Sequence, residues 1–183
     1  PVRASGASGC RILGLDPGSR RTGFGVLAWQ CGEYRHVAHG CIDVSGLEFA
    51  ARLRRIFEAV RQVGEGEIGL DPYRTQIEVI TSEQMLDAYS SVGMPLFYKH
   101  WSFGKDFARN QMMYNKGFQG LAYEIVINSD PCICYIMEEN SATMQTLVLA
   151  HAAMGHNHFF KNNYVFRQWT DASGIADYLS FAK

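Results

Sequence analysis

An aspartate at the end of an apolar run is the first residue of this chain whose position could serve chemistry. Asp16 follows the run Arg11–Leu15 and precedes Pro17-Gly18. A carboxylate at the end of a buried strand is held by the sheet, and clusters of such carboxylates bind Mg²⁺, which prefers oxygen ligands. Two Mg²⁺ ions together activate water for phosphodiester cleavage. An aspartate before Pro-Gly also initiates turns, so both interpretations stay open.

A second group of polar residues lies in the stretch EENSATMQTLVLAHAAMGHNHFF, where they stand among apolar residues. Its members are Glu138, Glu139, Asn140, His151, His156, Asn157 and His158. Histidine and glutamate together indicate a transition-metal site. The same residues could instead form a buried hydrogen-bond network that joins helices, and both hypotheses remain.

The spacing of the histidines restricts the metal hypothesis. His151 and His156 are five residues apart, which separates them by about 140° around a regular α-helix. His151 and His158 share a face but lie about 10.5 Å apart along the axis. A regular helix therefore cannot offer either pair to one ion, whereas a break or bulge at Gly155 would swing His156 inward. The two glutamates would have to come from a separate turn.

The elements that position Asp16 predict a small α/β unit. Strands are predicted over Arg11–Leu15, which is apolar enough to be buried, and over Gly23–Trp29 and Tyr34–Val44. In EFAARLRRIFEAVRQV the apolar residues recur at helical spacing with arginines opposite, which predicts a helix. The order β-β-β-α predicts an antiparallel three-stranded meander covered by that helix.

The elements around the second group predict a mainly α segment with a β-hairpin. A short strand is predicted at QIEVIT, followed by a helix that Thr81 or Ser82 caps and that GMP at residues 93–95 ends. An aromatic-rich helix follows in YKHWSFGKDFARNQMMYNKG. The apolar runs LAYEIVIN and CICYIM flank the turn NSDP and predict the hairpin. The stretch that holds the histidines is then the longest helical segment, and DASGIADYLSFA begins a last helix.

Composition divides the chain near residue 64. The 183 residues are 47% hydrophobic and 19% charged with a net charge of −1, which indicates a globular protein without an overall nucleic-acid-binding signature. Residues 1–63 hold nine arginines, no lysine and five acids, whereas residues 64–183 hold eight basic and thirteen acidic residues. We predict a disordered tail at 1–9, one unit at 10–63, a linker at 64–75 and a second unit at 76–183.

Cysteine usage and the chain ends give expectations about cellular context. Five cysteines without regular spacing predict a reducing, cytoplasmic environment. Cys132 and Cys134 are either buried small apolar residues or a ligand pair. No apolar run reaches the roughly 18 residues of a membrane span. The opening PVRASGASGC lacks a signal-peptide core and an initiator Met, and YLSFAK stops in mid-pattern, so we expect a fragment open at both ends.

The motif around Asp16 resembles the start of the RuvC family of Holliday-junction resolvases. The segments RILGLDPGSRRTGFGVL, GCIDV and RLRRIFEAV carry the resemblance over about residues 10–63. The resemblance implies a ribonuclease-H-like fold and a Mg²⁺-dependent dimer that cuts four-way DNA junctions in recombination and repair. It also implies that Asp16 is the first of four metal-binding carboxylates.

The sequence departs from that family after Val63. In the family the next strand ends in a glutamate within a pattern like A-I-E-Q, and a late helix supplies two further acids. The nearest imitation here is Glu83 in VITSEQM, and no late-helix acids can be assigned. Because one carboxylate does not hold a two-metal site, we expect an incomplete, inactive unit with an open sheet edge, which QIEVI could fill. Its arginines form either weak, nonspecific DNA contacts or a solvated helix face.

The rest of the chain resembles the amino-terminal region of the SpoVR family over about residues 66–183. QIEVITSEQMLDAYSSVGMP, HWSFGK, GLAYEIVINSDPCI, MQTLVLAHAAMGHN, FFKNNY and WTDAS carry the resemblance. The family is linked to spore cortex formation, and its name supplies no biochemical activity. The residues that match its EEN and AHAAMGHN patterns are Glu138, Glu139, Asn140, His151, Gly155, His156 and Asn157.

Three interpretations of the whole chain follow. It is a SpoVR-like segment with a polar or metal site, fused to an inactive RuvC-like fragment. Alternatively, it is a Mg²⁺-dependent crossover junction endodeoxyribonuclease. The third interpretation is a non-functional chimera that joins two unrelated coding pieces. A resolvase requires carboxylates that the second part replaces with another family's sequence, which disfavours the nuclease.

Overall fold

A computed structural model describes residues 9–90 and 101–182 of the chain. The chain divides into two compact units, Pro1–Leu70 and Asp71–Lys183. Within the described residues, no helix has both the length and the apolar character needed to cross a bilayer.

The first unit is a three-stranded antiparallel meander followed by a helix, as predicted. Strands β1 (Cys10–Pro17), β2 (Arg21–Gln30) and β3 (Glu33–Asp43) pair in the order β1-β2-β3. Helix α1 spans Phe49–Val63 and continues into a π-helical turn at Gly64–Ile68. The general α/β class is therefore observed, while the ribonuclease-H-like topology stays a prediction.

The core of the first unit lies between one face of the sheet and α1. Residues that alternate along β2 are buried together with the apolar stripe of the helix, because alternate strand positions share one face. The buried apolar side chains are Val26, Ala28, Ile42, Val44, Leu53, Ile56 and Val60.

Strand β1 forms where it was predicted, but the prediction that it is buried is wrong. None of its residues is buried, and Ile12 is 45% exposed. Among the described strands β1 pairs with β2 alone, so it is an edge strand. An apolar run indicates a strand, and a neighbouring element must then cover it for burial.

The second unit has a mixed three-stranded sheet surrounded by helices. Strands β4 (Thr75–Ile80), β5 (Glu124–Ile127) and β6 (Cys132–Met137) lie in the order β4-β6-β5. The β5–β6 hairpin is antiparallel, which confirms that prediction, and β4 runs parallel to β6. The prediction that QIEVI could fill the edge of the first sheet is therefore wrong, because β4 belongs to the sheet of the second unit, where it pairs with β6.

The helices of the second unit begin with α2 (Ser82–Ser90) and α3 (Trp101–Asn115). After the hairpin come α4 (Ala142–Val148), a π-helix (Leu149–His156) and α5 (Asn157–Asn162). Helices α6 (Tyr164–Trp169) and α7 (Ala172–Ala182) follow. The predicted stop signal GMP lies at residues 93–95, outside the described residues.

A reciprocal capping box starts α2 and settles which residue caps it. The backbone N–H of Gln84 donates to Thr81 Oγ1 at 3.3 Å, and the backbone N–H of Thr81 donates to Gln84 Oε1 at 2.9 Å. This exchange satisfies two N–H groups that would otherwise lack partners at the helix end. Thr81, rather than Ser82, is therefore the cap.

The central strand β6 forms the middle of the second unit's core. Cys132 and Cys134 are both fully buried, in a strand whose other buried members are Ile133, Ile136 and Met137. Burial raises the pKa of the Cys132 thiol to about 11 and that of Cys134 to about 12. Both thiols stay neutral at physiological pH and pack as small apolar groups.

Candidate functional site

Two histidines come together on the π-helix of the second unit. Each N–H of a π-helix bonds the carbonyl five residues before it, so residues five apart come to one face. The rings of His151 and His156 are exposed and meet edge to face, with centroids 4.5 Å apart. The predicted separation applied to a regular α-helix, and the alternative of a distortion around Gly155 agrees with the π-helix that spans Leu149–His156.

His156 also lines a cavity of about 220 Å³ together with Glu124, Val126, Asn128 and Phe160. Glu124 and Val126 alternate along β5, and Asn128 follows two residues later, so strand geometry directs the three to one side. The Oδ1 atom of Asn128 is buried without a hydrogen-bond partner among the described residues. An unpaired buried acceptor costs free energy, but this oxygen is covered by protein and is not open to a ligand in the cavity.

The EEN residues form the turn between β6 and α4, as the hypothesis of a separate turn required. Glu138 and Glu139 are exposed there. Asn140 is buried, and its Nδ2 donates to the carbonyl oxygen of Tyr123 at 2.8 Å, which anchors the chain just before β5. Asn140 therefore has a structural contact, and the two glutamates face solvent.

Asn157 belongs to the alternative hypothesis of a buried network. It is 1% exposed, and its Oδ1 accepts from the backbone N–H of Tyr73 at 2.8 Å. Its Nδ2 donates to the carbonyl oxygen of Tyr73 and to Thr75 Oγ1, both at 2.9 Å. The amide thus holds the entry to β4 with three hydrogen bonds and is not free to bind a ligand.

His158 works beside Asn157 in the same structural role. Its Nδ1 accepts from the backbone N–H of Asp71 at 2.8 Å. The ammonium of Lys161 lies 2.6 Å from the Asp71 carboxylate, and Asn162 Nδ2 donates to the Asp71 carbonyl oxygen at 3.0 Å. Helix α5 therefore fastens residues 71–75 by one face, while His151 and His156 stay outside this network.

The complete ligand set of a metal site is not assembled by the described part of the chain. Within residues 9–90 and 101–182, no group of three or more His, Cys, Asp or Glu side chains is placed to hold an ion. His151 and His156 therefore offer two imidazoles without a third protein ligand of these types. Glu124 and the Asn128 amide are the oxygen donors of the adjoining cavity.

In the first unit, Asp16 lies exposed near the end of β1, opposite Gly23 of β2. It belongs to no group of three or more potential metal ligands in the described chain. Glu83, its proposed partner, lies in the second unit, exposed in the first turn of α2. An acidic side chain at that position favours the helix N-terminus, which explains Glu83 without catalysis.

Comparison with known proteins gives different relatives for the first and the second part of the chain. The family model described as "SpoVR like protein" matches residues 48–183, which is most of the chain. The chain belongs to the SpoVR family. The "Uncharacterized protein YcgB" of Escherichia coli K12 is 71% identical to this SpoVR chain over 114 residues, which cover 62% of the chain and 22% of YcgB.

The first part of this SpoVR chain is similar to RuvC proteins. "Crossover junction endodeoxyribonuclease RuvC" of Hahella chejuensis is 55% identical over 53 residues, which cover 29% of the chain and 31% of that protein. The protein of the same description from Methylococcus capsulatus is 51% identical over 55 residues, or 30% of the chain and 33% of the relative. The chain thus spans about a fifth of YcgB and about a third of these RuvC proteins.

The arginines of the RuvC-like part are partly engaged with its own acids and carbonyls. Arg21 Nε lies 3.2 Å from Asp43, Arg54 Nε lies 2.8 Å from Glu58, and the Arg11 guanidinium donates to the Glu67 carbonyl oxygen. The hydrogen bond from Arg54 holds the pKa of the Glu58 carboxyl below its usual value. Arginines in such pairs have part of their charge compensated, which weakens any nonspecific attraction to phosphates.

Sequence reasoning missed Glu124 and Asn128, the cavity residues of the SpoVR-like part. They lie in LAYEIVIN, which was read only as a strand of the hairpin. The available signal was the two-residue alternation Glu124, Val126, Asn128, because polar residues on one face of an otherwise apolar strand need partners on that face. The sequence did not predict that the π-helix lies beside β5.

Proposed function

We propose that the SpoVR-like part carries the function of this chain and that the RuvC-like part does not cleave DNA junctions by itself. The family match over residues 48–183 supports the first half of this proposal. The second half rests on Asp16, which stands outside any group of three potential metal ligands among the described residues. Two-metal cleavage requires several converging carboxylates. The link to spore cortex formation that the family resemblance implies is likewise a proposal, for the whole protein.

The SpoVR-like part acts, in this proposal, by binding a divalent transition metal at His151 and His156. The observation that carries it is the π-helix, which places two exposed imidazoles side by side at a polar cavity. Imidazole nitrogens suit Zn²⁺ and its neighbours in the first transition row. Because no third ligand of these types lies with the two imidazoles in the described residues, the Glu124 carboxylate, which lines the same cavity as His156, would reach the ion through a bound water. The two imidazoles and Glu124 are therefore the candidate site.

Zn²⁺ titration of the full chain with ¹⁵N-labelled histidine tests this proposal. We expect the side-chain resonances of His151 and His156 to shift together, while those of His158, which is hydrogen-bonded to Asp71, stay in place. His156→Ala should remove the shift at His151. No shift at either ring up to millimolar Zn²⁺, or an unchanged His151 response in His156→Ala, contradicts the metal site.

The nuclease alternative is tested with a synthetic four-way DNA junction and Mg²⁺. We expect no cleavage by the chain, and hence no difference between it and Asp16→Asn. Asp43→Asn is a matched control, since Asp43 is also an exposed strand-end carboxylate of the first unit. If the chain cleaves the junction, and Asp16→Asn loses this cleavage while Asp43→Asn keeps it, the nuclease interpretation is supported instead.

The chimera alternative concerns the gene rather than the protein. Sequencing across codons 60–70 in intact source DNA shows whether the junction between the two kinds of sequence exists in a genome. We expect a continuous reading frame through this region if the SpoVR-like part functions in this fused form. Two separate loci would instead mean that the fusion has no biological role.

A further inference from the structure

A pair of histidines in the first unit lies on one face of the sheet because of a β-bulge. Leu27 of β2 pairs with His36 and Val26 pairs with Ala38, so Val37 is an extra residue in β3. Residues three apart on a regular strand point to opposite faces. The extra residue cancels that alternation, and His36 and His39 come to the same face.

The two rings meet through their nitrogens. His36 Nε2 lies 2.9 Å from His39 Nδ1, and the ring centroids are 5.0 Å apart with 57° between the ring planes. At this distance the two neutral rings share one proton in an N–H···N hydrogen bond. Both side chains are exposed, so either ring is free to rotate about its side-chain bonds and solvent reaches the pair.

The separation of these nitrogens matches that of two neighbouring ligands of one metal ion. Metal–imidazole bonds of about 2.0–2.1 Å at a right angle place the two nitrogens about 2.9 Å apart. A tetrahedral angle would require about 3.3 Å. Square-planar and tetragonal geometries, which have right angles, are those of Cu²⁺ and Ni²⁺. In the hydrogen bond one of these nitrogens carries the proton, so for both to bind one ion that proton moves through solvent to the other nitrogen of its own ring, and the exposed rings turn until the two lone pairs converge. The nitrogen separation then suits a tetragonal ion.

The sheet leaves room for such an ion and its water ligands. Gly25 pairs with His39 across the sheet, on the same face, and a Cβ atom built on Gly25 would meet nothing within 4 Å. We propose that His36 and His39 chelate a divalent transition metal of tetragonal preference on this open face, with water in the remaining positions. The site is separate from the π-helix cavity, because all of these residues belong to the first unit.

Ni²⁺ is the probe for the test, because it avoids the redox chemistry between Cu²⁺ and the chain's free thiols. In the full chain with ¹⁵N-labelled histidine, we expect paramagnetic broadening of His36 and His39 together at Ni²⁺ concentrations where Mg²⁺ has no effect. Each single variant, His36→Ala or His39→Ala, should weaken Ni²⁺ binding about tenfold or more. The double variant should lose binding at this face, because each single variant keeps one imidazole that still holds Ni²⁺ weakly.

Cys41→Ser is the control, since Cys41 is an exposed thiol two residues beyond His39. We expect it to leave Ni²⁺ affinity unchanged. A single histidine variant in which the remaining ring broadens at the same Ni²⁺ concentration as in the unsubstituted chain would overturn the proposal, because it would show two independent rings. A large loss of affinity in Cys41→Ser would also overturn it, in favour of a thiolate site.

Discussion

Replacing Asn157 tests whether the asparagine of the GHN motif, residues 155–157, is structural. Its side chain is 1% exposed and makes three hydrogen bonds, two with the backbone of Tyr73 and one with Thr75 Oγ1. These bonds fix residues 73–75, where the chain enters the parallel strand β4. Asn157→Ala removes all three, which leaves the Tyr73 N–H without its partner and the Tyr73 carbonyl oxygen with only the 3.4 Å bond from Thr75 Oγ1.

The expected cost follows from counting these groups. Each hydrogen bond contributes about 1 kcal/mol net, and a buried polar group left unpaired costs about 1–3 kcal/mol. Tyr73 and Thr75 are half-buried, so water compensates part of the loss. We therefore expect Asn157→Ala to lower the unfolding free energy of the second unit by about 3 kcal/mol.

A near-isosteric variant separates hydrogen bonding from packing. Asn157→Asp keeps the acceptor for the Tyr73 N–H but loses both N–H donors, so a carboxylate would face the Tyr73 carbonyl oxygen. Burial and that oxygen should raise the pKa of the new carboxyl above its usual value of about 3.9. The destabilisation should be largest near pH 7 and should shrink as the pH falls through the raised pKa, because the protonated acid can donate one bond again.

Urea unfolding of the full chain at pH 7 and pH 4.5 provides the measurement, with amide exchange at Tyr73 as the local readout. Each variant is compared with the unsubstituted chain at the same pH. Asn162→Ala is the matched control, because Asn162 also bonds the 71–75 segment but is exposed. It should cost less than about 1 kcal/mol. If Asn157→Ala costs no more than this control, or if the penalty of Asn157→Asp is independent of pH, the structural assignment is refuted.

Three further predictions concern the cysteines. Cys31 precedes Gly32 in the β2–β3 turn and has a positive φ of 52°. Asn tolerates a positive φ better than Cys does, so Cys31→Asn should raise the unfolding free energy of the first unit in urea by about 0.5–1 kcal/mol. The control Cys31→Ala should give no gain. Iodoacetamide at pH 8 should alkylate the exposed Cys10, Cys31 and Cys41 and spare the buried Cys132 and Cys134 until unfolding, as mass spectrometry of peptides can show. Because burial raises the pKa values of these two thiols to about 11 and about 12 from 9.0, their contribution to stability is full below pH 9 and declines from pH 9 to 11. Urea midpoints over that range should therefore fall less in the Cys132→Ala/Cys134→Ala double variant than in the unsubstituted chain, and parallel curves would contradict the assignment.

Local patterns in the sequence were enough to predict most elements. The strands predicted over Gly23–Trp29 and Tyr34–Val44 correspond to β2 and β3, helical spacing located α1, and the NSDP turn located the β5–β6 hairpin. These features depend on residues that are close in sequence, so a single chain reveals them. The Thr81 cap is of the same kind, although the sequence left two candidates and hydrogen-bond geometry chose between them.

Features that depend on distant partners could not be predicted in this way. The apolar run at β1 has the composition of a buried strand, but a strand is buried only where another element covers it, and the local sequence does not indicate whether such an element is present. Strand β4 lies next to β6 through residues more than fifty positions apart. The π-helix at Leu149–His156 depends on a five-residue hydrogen-bond pattern, so the sequence left open whether its histidines are separated, as on a regular α-helix, or brought together by a distortion at Gly155.

Unused hydrogen-bonding capacity, rather than residue type, distinguishes the candidate site from the structural network. Asn157 ends the AHAAMGHN motif and His158 follows it, but the Asn157 amide and the His158 Nδ1 atom already bond the backbone of residues 71–75. His151 and His156 lie in the motif and remain exposed, and His156 lines a cavity. Because a ligand can bind only to groups that folding has left available, the motif divides into residues that build the site and residues that could work in it. The amide of Asn157 and the imidazole of His156 are neighbours in sequence, and the helix turns one inward to hold β4 and the other toward the cavity.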